Sequence, residues 1–176
     1  MLRQVPNLLT LFNMFLGLRV VFSLWQGPAS LWQACLLILL AAVVDGVDGL
    51  LARRLGAESD LGKQLDSFAD LISFGVAPAL ITLSHSAVRA LGWPSYAALC
   101  LYVLAAAYRL ARFNLGDFKE YFLGLPITAA GAILTGLNLL FHLTALERGW
   151  ALAGLNGLVL ILAGMMASTL RIKRFC

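Results

Sequence analysis

The chain has 176 residues, of which 61% are hydrophobic and only 12% are charged, and its mean hydropathy is +0.87. Because a soluble domain is about half apolar and about a quarter charged, this composition excludes the soluble globular class and indicates an integral membrane protein. The formal net charge of +4 is no sign of nucleic-acid binding, since the basic residues cluster beside hydrophobic segments, as membrane topology requires.

Six apolar segments come close to the length of about 20 residues that a helix needs to cross a bilayer. The links between them are short, so the predicted fold class is all-α, a polytopic bundle of about six transmembrane helices. The bundle is expected to form a single membrane domain over residues 1–176. In chain order the predicted spans are Asn7–Leu24, Leu31–Leu55, Leu61–Ser84, Pro94–Leu115, Leu125–Leu146 and Ala151–Leu170.

The distribution of lysine and arginine predicts the orientation of this bundle. With six spans both termini lie on the same side of the membrane, and ten of the 13 basic residues fall on that side. The opposite side holds only Arg89 and Arg148, and Arg19 lies within the first span. Because basic loops stay in the cytoplasm, both termini are expected to be cytoplasmic.

The first span begins with a short polar pattern, Pro6-Asn7 followed by Thr10 and Asn13. Asparagine is a residue type that caps helix N-termini, so Asn7 can mark the start of the helix. A segment that contacts a ligand fits the same residues equally well, and the pattern leaves both interpretations open.

Four aspartates lie within 26 residues, at the end of the second span and the start of the third. An ionised carboxylate inside a membrane costs about 2.5 kcal/mol or more unless a positive charge compensates it. Asp45 and Asp48 are three residues apart, and Asp66 and Asp70 are four apart, so each pair shares one face of its helix. A short turn near Gly56–Asp60 makes the two helices antiparallel neighbours, so both pairs are expected to converge near the membrane surface.

A pair of divalent cations is the simplest compensating charge for this cluster. Hard oxygen ligands in that number suit Mg²⁺ or Mn²⁺, and the absence of nearby histidine and cysteine argues against zinc. Gly49 and Ala52 leave room for a flat group beside the first pair. Arg53 can bind phosphate, and Ser59 can donate a hydrogen bond. Gly62 is expected to keep the second of these helices clear of the first.

The acidic cluster also fits two alternatives without enzymatic chemistry. The aspartates can be membrane-boundary residues paired with Arg53, Arg54 and Lys63, although this accounts for one or two of them better than for four. They can also form the binding site of a divalent-metal transporter. A transport pathway is disfavoured because only three acidic residues follow Asp70, all in or near loops.

The third span contains Pro78 shortly after Gly75, and a proline inside a helix bends it. Ser73, one turn after Asp70, is expected either to face a ligand pocket or to bond the backbone of its own helix. The fourth span ends with two arginines three residues apart, Arg109 and Arg112. They suit an anionic ligand and are equally suited to anchor the helix end at the membrane surface.

The spacing of these residues resembles the signature of the CDP-alcohol phosphatidyltransferase family. Eight fixed residues at fixed gaps make the resemblance specific. Six spans are also what this family would have, so the resemblance covers most of the chain. The pattern, with every defined position filled, is Asp45-x2-Asp48-Gly49-x2-Ala52-Arg53-x8-Gly62-x3-Asp66-x3-Asp70.

The resemblance implies an enzyme that transfers a phosphatidyl or phospho-alcohol group from a CDP-linked donor to an acceptor hydroxyl and releases CMP. It implies that the four aspartates hold two divalent ions, Mg²⁺ or Mn²⁺, and that Asp70 is also the general base. It further implies a homodimer in the cell membrane. The excess of basic residues on one side places the acidic cluster, and with it the expected active site, at the cytoplasmic face. The residues implied to surround the CDP portion of the donor are Asn7, Thr10, Asp48, Gly49, Ala52, Arg53 and Ser59.

Three further segments resemble the phosphatidylserine synthase branch of that family, in which CDP-diacylglycerol is the donor and L-serine the acceptor. Inositol phosphate and glycerol phosphate remain the alternative acceptors. Because serine carries a carboxylate, the resemblance makes Arg109, Arg112 and Asn114 the expected acceptor-binding residues. The three segments are Asp66–Ala79, which reads DSFADLISFGVAPA, Ala107–Asn114 and Phe122–Pro126.

Overall fold

The computed structural model describes residues 5–26, 30–56, 59–115, 121–144, 149–168 and 171–173. Helices account for nearly all of this part of the chain, so the predicted helical class is confirmed. Between α3 and α4 the backbone forms one π-helical turn, Leu71–Val76. The helices in chain order are α1 (Val5–Trp25), α2 (Leu31–Leu55), α3 (Asp60–Asp70), α4 (Ala77–Ser84), α5 (Ser86–Ala90), α6 (Trp93–Leu115), α7 (Ile127–Leu143) and α8 (Gly149–Ala167).

Four helical stretches of the described chain are long and apolar enough to cross a membrane: α1, α2, Asp60–Ser84 and α6. The apolar stretches Ile127–Leu143 and Gly154–Ala167 are shorter. Large apolar side chains lie on the outer faces, for example Phe22 at 60% exposure and Leu104 at 64%, as contact with lipid requires. The chain is therefore a multi-pass membrane protein, as its composition predicts.

The predicted spans agree with the helices to within a few residues at most ends. The fifth predicted span starts too early, at Leu125, because Pro126 takes an extended conformation (ψ 138°) just before the helix. α7 therefore begins at Ile127. The predicted ends of the fifth and sixth spans, Leu146 and Leu170, lie outside the described residues.

A bend is predicted at Pro78, and the structure has the π-helical turn just before this residue. Proline has no backbone N–H, so it cannot donate to the carbonyl group four residues earlier, that of Phe74. The buried hydroxyl group of Tyr102 on α6 donates to this carbonyl instead, at 2.8 Å. The turn is thus held in place by a neighbouring helix.

Glycines allow two helices to approach the π-helical turn at backbone distance. A Cβ at Gly17 of α1 would lie 2.5 Å from Ser73 Oγ, and one at Gly131 of α7 would lie 2.6 Å from Phe74 Cβ. Gly131 follows Ala129 and Ala130 in α7, and it serves packing within the chain. Small residues have this role at many helix contacts in membranes.

A polar bridge ties α4 to α7 at the end of the bundle away from the aspartates. Asn138 Nδ2 donates to Thr82 Oγ1 at 2.9 Å, and Asn138 Oδ1 lies 3.0 Å from Nε2 of the buried His85. From Asp70 to Thr82 a continuous helical stretch rises by about 18 Å at 1.5 Å per residue. This bridge is therefore a separate structural feature, far from the acidic cluster.

The prediction of an all-α fold is incomplete, because two short strands are present. β1 (Tyr121–Leu123) and β2 (Arg171–Lys173) pair antiparallel, with Phe122 opposite Ile172. Aromatic and β-branched residues favour strands, but three residues are too few for an alternating pattern to be recognised in the sequence. The strand pair joins the segment before α7 to the segment after α8.

Candidate functional site

Four aspartates from two helices meet at one end of the bundle. α2 carries Asp45 and Asp48, and α3 carries Asp66 and Asp70. One carboxylate oxygen each from Asp45, Asp48 and Asp66 lies within 4.8 Å of the others. The carboxyl group of Asp70 lies close enough to that of Asp45 for the two groups to interact. The structure therefore brings both predicted pairs to one point.

The helices that carry the aspartates are neighbours, as predicted, because the continuous helical stretch Asp60–Ser84 packs against α2 through the π-helical turn and α4. Its first part, α3, has little contact with α2 in the described chain. α1 packs along both α2 and α3, and α7 packs along α2. The carboxylates occupy the space between α2 and α3, where closer packing would press like charges together. At Gly49 of α2 a Cβ would meet no atom within 4 Å.

Neutral side chains donate the hydrogen bonds recorded for the aspartates of α2. The Thr10 hydroxyl group lies 2.9 Å from Asp48 Oδ2 and 3.0 Å from the carbonyl oxygen of Pro6, so its one proton serves either acceptor. Asn13 Nδ2 donates to Asp45 Oδ1 at 3.4 Å, and Thr128 Oγ1 donates to Asp45 Oδ2 at 3.2 Å. These donors orient the carboxylates without compensating their negative charge.

Two of the three basic residues between the pairs, Arg53 and Lys63, make their contacts elsewhere. Arg53 Nε donates to the carbonyl group of Gly49 at 3.1 Å. Lys63 Nζ donates to the carbonyl group of Asn114 at 3.2 Å and lies 5.3 Å from the centre of the Phe113 ring. Because these cations are directed at backbone carbonyls and an aromatic ring, the interpretation of the cluster as paired boundary residues loses support.

Asp70 and Arg109 form the deepest charged part of the site. Asp70 is 8% exposed and Arg109 is 7% exposed, and the two charges are close enough to interact. Asp70 Oδ1 and Arg109 Nε have no hydrogen-bond partner among the described residues. Buried polar atoms nearly always have a partner in a working protein, so both atoms are available to a bound molecule or ion.

The chemistry of this donor set fits a divalent cation of the Mg²⁺ or Mn²⁺ type. Asp45, Asp48 and Asp66 offer hard oxygen ligands within the distance that one ion can bridge. The unpartnered Oδ1 of buried Asp70 adds an acceptor atom beside them. These are the residues that would hold such an ion.

The residues predicted to contact the donor nucleotide lie near the start of α1, near the end of α2 and at the start of α3. Asn7 and Ser59 come together around Gly62, where a Cβ would lie 3.0 Å from Asn7 Oδ1 and 3.1 Å from Ser59 Oγ. Ser59 caps α3, since its Oγ accepts the N–H of Gly62 at 3.0 Å. α2 ends in a left-handed residue, Gly56 (φ 55°), whose N–H bonds to the carbonyl group of Ala52.

Two sequence-based interpretations are wrong at α1. Asn7 is not the helix cap, because α1 already includes Val5 and Pro6. Gly62 does not keep α3 clear of α2; it leaves room for the side chain of Asn7 on α1. The reason in both cases is that α1 lies against α3, a contact that the sequence does not reveal.

Ser73 faces neither a ligand pocket nor its own helix backbone, which were the two expected alternatives. Its hydroxyl group donates to the carbonyl group of Asn13 on α1 at 3.0 Å. The contact is possible because Gly17, one turn further along α1, lets the π-helical turn approach. Ser73 therefore fixes the helix that carries Thr10 and Asn13.

Of the three residues expected to bind the acceptor, only Arg109 is placed beside the aspartates. The Nη atoms of Arg112 donate to the carbonyl groups of Ala167 and Ser168, at 3.4 and 2.9 Å. Asn114 Nδ2 donates to Ser67 Oγ at 2.9 Å, which ties the end of α6 to α3. These contacts give Arg112 and Asn114 structural roles at the ends of helices.

Sequence reasoning missed Thr128 altogether and did not assign Asn13 to Asp45. Both contacts cross large chain separations, 83 residues from Asp45 to Thr128 and 32 residues from Asn13 to Asp45. A weak signal exists, because Thr128 is a polar residue in the first turn of a largely apolar helix, two residues after Pro126. That signal alone does not identify its partner.

Comparison with known proteins adds independent information about this site. The family model described as CDP-alcohol phosphatidyltransferase matches residues 3–169, a stretch that includes all four aspartates. The match covers nearly the whole chain, so it concerns the entire helical bundle and not the acidic motif alone.

Individual relatives carry one common name. A CDP-diacylglycerol–serine O-phosphatidyltransferase of Helicobacter pylori J99 is 33% identical over 173 residues, which cover 97% of this chain and 72% of the relative. The protein of that name from Bacillus subtilis 168 is 35% identical over 151 residues, which cover 84% of this chain and 82% of the relative. That of Mycobacterium leprae is 38% identical over 146 residues, 77% of this chain but only 47% of the longer relative.

Proposed function

Because the chain belongs to the CDP-alcohol phosphatidyltransferase family, we propose that it transfers the phosphatidyl group of CDP-diacylglycerol to the hydroxyl group of L-serine. The products are phosphatidylserine and CMP. The names of the Helicobacter and Bacillus relatives support this choice of donor and acceptor. The observation that carries the proposal is the meeting of four carboxylates from α2 and α3 at one end of a membrane bundle.

In this proposal Asp45, Asp48 and Asp66 hold divalent cations, Mg²⁺ or Mn²⁺. Asp70 is the fourth carboxylate ligand, and the four together bind two ions. When bound, such ions neutralise the charge of the diphosphate and stabilise the attacking and leaving oxygens. The neutral donors Thr10 and Asn13 support this role, since they leave the negative charge of the carboxylates available. An apolar bundle with four uncompensated carboxylates would otherwise be costly to form.

Asp70 is the proposed general base. It removes the proton from the serine hydroxyl group as the hydroxyl oxygen bonds to the β-phosphorus. The bond from this phosphorus to the oxygen of CMP breaks, and CMP leaves with the bonding electrons. An alcohol is a poor nucleophile until it loses its proton, which is why a buried acceptor atom such as Asp70 Oδ1 is needed there.

The proposed donor site lies between the end of α2 and the starts of α1 and α3. Open space at Gly49 accommodates the flat cytosine ring, and exposed Arg53 reaches the phosphates. Asn7, Ser59 and Ala52 form the edges of this site. Thr10 acts in this arrangement through Asp48, to which it is hydrogen-bonded.

Arg109 is the proposed ligand of the serine carboxylate. It is buried beside Asp70, and its Nε has no partner among the described residues. A guanidinium group binds a carboxylate through two parallel hydrogen bonds, which would place the serine hydroxyl group near the base. Arg112 and Asn114 remain predicted acceptor ligands, but their helix contacts favour Arg109.

The proposed topology has six spans, with both termini and the active site in the cytoplasm. α7, with 17 residues, is about 26 Å long at 1.5 Å per residue, close to the hydrocarbon thickness of about 30 Å. The excess of basic residues on one side supports this orientation in the cell membrane. A single domain over residues 1–176 and a homodimer are part of the same proposal.

An acceptor assay tests the proposed reaction against its two alternatives. Purified protein in detergent is given CDP-diacylglycerol, Mn²⁺ and either L-serine, inositol phosphate or glycerol phosphate, and CMP release is measured. We expect release that depends on L-serine. If CMP release requires one of the other alcohols instead, that alcohol and not serine is the acceptor. Flux of Mn²⁺ into proteoliposomes without any CMP would instead support the divalent-metal transporter.

A further inference from the structure

We propose that Thr128 of α7 is a positioning residue that fixes the orientation of Asp45 for cation binding. This inference rests on the proposed function, because it assigns a role to Thr128 at the proposed metal site. Thr128 lies outside the acidic signature, 58 positions after its last aspartate. Its hydroxyl group donates to Asp45 Oδ2 at 3.2 Å.

Asp45 is held at both of its carboxylate oxygens by different helices. Asn13 of α1 donates to Oδ1 at 3.4 Å, and Thr128 of α7 donates to Oδ2. α1 and α7 both pack along α2, which carries Asp45. A carboxylate held from two sides cannot rotate about its Cβ–Cγ bond without breaking one of these hydrogen bonds. The remaining lone pairs of Asp45 therefore keep a fixed direction toward the other aspartates.

The hydroxyl proton of Thr128 has little alternative to Asp45. Thr82 and Thr144 each donate to the carbonyl group four residues earlier in the same helix, at 2.9 and 2.7 Å. Thr128 is the second residue of α7, so the residue four positions earlier, Gly124, lies outside the helix. The one hydrogen bond recorded for the Thr128 hydroxyl group goes to Asp45.

The backbone before α7 is anchored in a way that holds Thr128 in place. The N–H of Leu125 donates to the carbonyl group of Met165 on α8 at 3.1 Å. Gly124 has a φ of 72° and lies so close to α8 that a Cβ would be 2.7 Å from the Met166 carbonyl oxygen. The start of α7 is thus fixed against α8, and the threonine hydroxyl group is fixed with it.

Hydrogen bonds to a ligating group determine how well that group binds its metal. Such partners orient the ligand and raise its basicity, and their removal typically lowers metal affinity or activity about 10- to 100-fold. Thr128 meets this description if Asp45 binds a cation. Its contribution is then measurable in metal binding without any substrate.

The experiment measures Mn²⁺ binding to the purified full-length protein in detergent, from the EPR signal of free Mn²⁺. The variant Thr128→Val keeps the size of the side chain and removes the hydroxyl group, whereas Thr128→Ser retains it. The matched control is Thr135→Val on the same helix, because the Thr135 hydroxyl group is buried and has no partner among the described residues. Thermal unfolding without metal checks that the variants are equally folded.

We expect Thr128→Val to weaken Mn²⁺ binding about tenfold or more, the range known for such partners. Thr128→Ser and Thr135→Val should bind as the wild type does. Wild-type affinity in Thr128→Val, or equal weakening in Thr128→Ser, would overturn the role of Thr128 and leave the metal site standing. If the wild-type protein itself binds no Mn²⁺, both this inference and the proposed metal mechanism are wrong.

Discussion

The Asp70 carboxyl group and the Arg109 guanidinium group lie together inside the bundle, close enough for their charges to interact. Each retains one atom without a hydrogen-bond partner among the described residues, Oδ1 in Asp70 and Nε in Arg109. An acceptor that carries both a hydroxyl group and a carboxylate can bind to this pair at both ends. Serine has that combination of groups, which glycerol phosphate lacks.

The variant Asp70→Asn tests the proposed base. Asparagine preserves the size of the side chain but cannot take the proton from serine, so kcat should fall by about 10²- to 10⁴-fold. Binding of CDP-diacylglycerol, measured by calorimetry, should remain detectable. The control is Asp60→Asn, an exposed acid in the first turn of the same helix, which should leave kcat unchanged. Near-normal turnover in Asp70→Asn would remove Asp70 from the role of base.

The two arginines at the end of α6 should respond differently to substitution. Arg109→Ala should raise the KM for serine at least about tenfold, because a charged hydrogen bond contributes about 1.5–3 kcal/mol. Arg112→Ala should instead lower the Tm, since it loses the hydrogen bonds to the carbonyl groups of Ala167 and Ser168. Steady-state kinetics and thermal unfolding separate the two effects. An unchanged KM for serine in Arg109→Ala would show that Arg109 does not bind serine and has only a structural role.

Two glycines of α2 provide a matched test of the donor site. A Cβ at either Gly46 or Gly49 meets no atom within 4 Å, so alanine at either position should not lower the Tm. Only Gly49 faces the proposed nucleotide position, so Gly49→Ala should weaken donor binding by about 1–3 kcal/mol, as overpacking does. Gly46→Ala should bind the donor normally. Equal donor affinity in both variants would show that the nucleotide does not approach Gly49.

The packing of α7 on the π-helical turn predicts a difference in stability between two other glycines. Alanine at Gly131 would place its Cβ 2.6 Å from that of Phe74, whereas alanine at Gly136 would meet nothing within 4 Å. Gly131→Ala should therefore lower the free energy of unfolding by about 1–3 kcal/mol, and Gly136→Ala should not lower it. Thermal unfolding in detergent measures both. A wild-type Tm in Gly131→Ala would contradict the close approach of α7 to Phe74.

The acidic site was predictable from the sequence because its geometry is local. The spacings between Asp45 and Asp48 and between Asp66 and Asp70 follow the helical repeat, and a short turn joins the two helices. The apolar composition likewise predicts the membrane helices, since their length is set by the bilayer. Neither inference requires knowledge of which helices pack together.

The surroundings of the site were not predictable, because they depend on tertiary packing. Nothing in the sequence of α1 indicates that Ser73 will bond its backbone at Asn13, or that Asn7 will lie against Gly62. The contact of Thr128 with Asp45 depends on the position of α7, which the anchoring of Gly124 on α8 determines. The strands were missed because three-residue segments carry too little pattern.

Product analysis shows whether the carboxylates of α2 and α3 support metal-dependent transfer to serine. Purified protein is incubated with radiolabelled L-serine, CDP-diacylglycerol and Mn²⁺, and lipid-soluble label and CMP are both quantified. The account predicts labelled phosphatidylserine and CMP in equal amounts, both lost on chelation of the metal and in the variant Asp66→Asn. Serine-dependent product formation that persists in EDTA and in Asp66→Asn would contradict a reaction that depends on the carboxylates of α2 and α3.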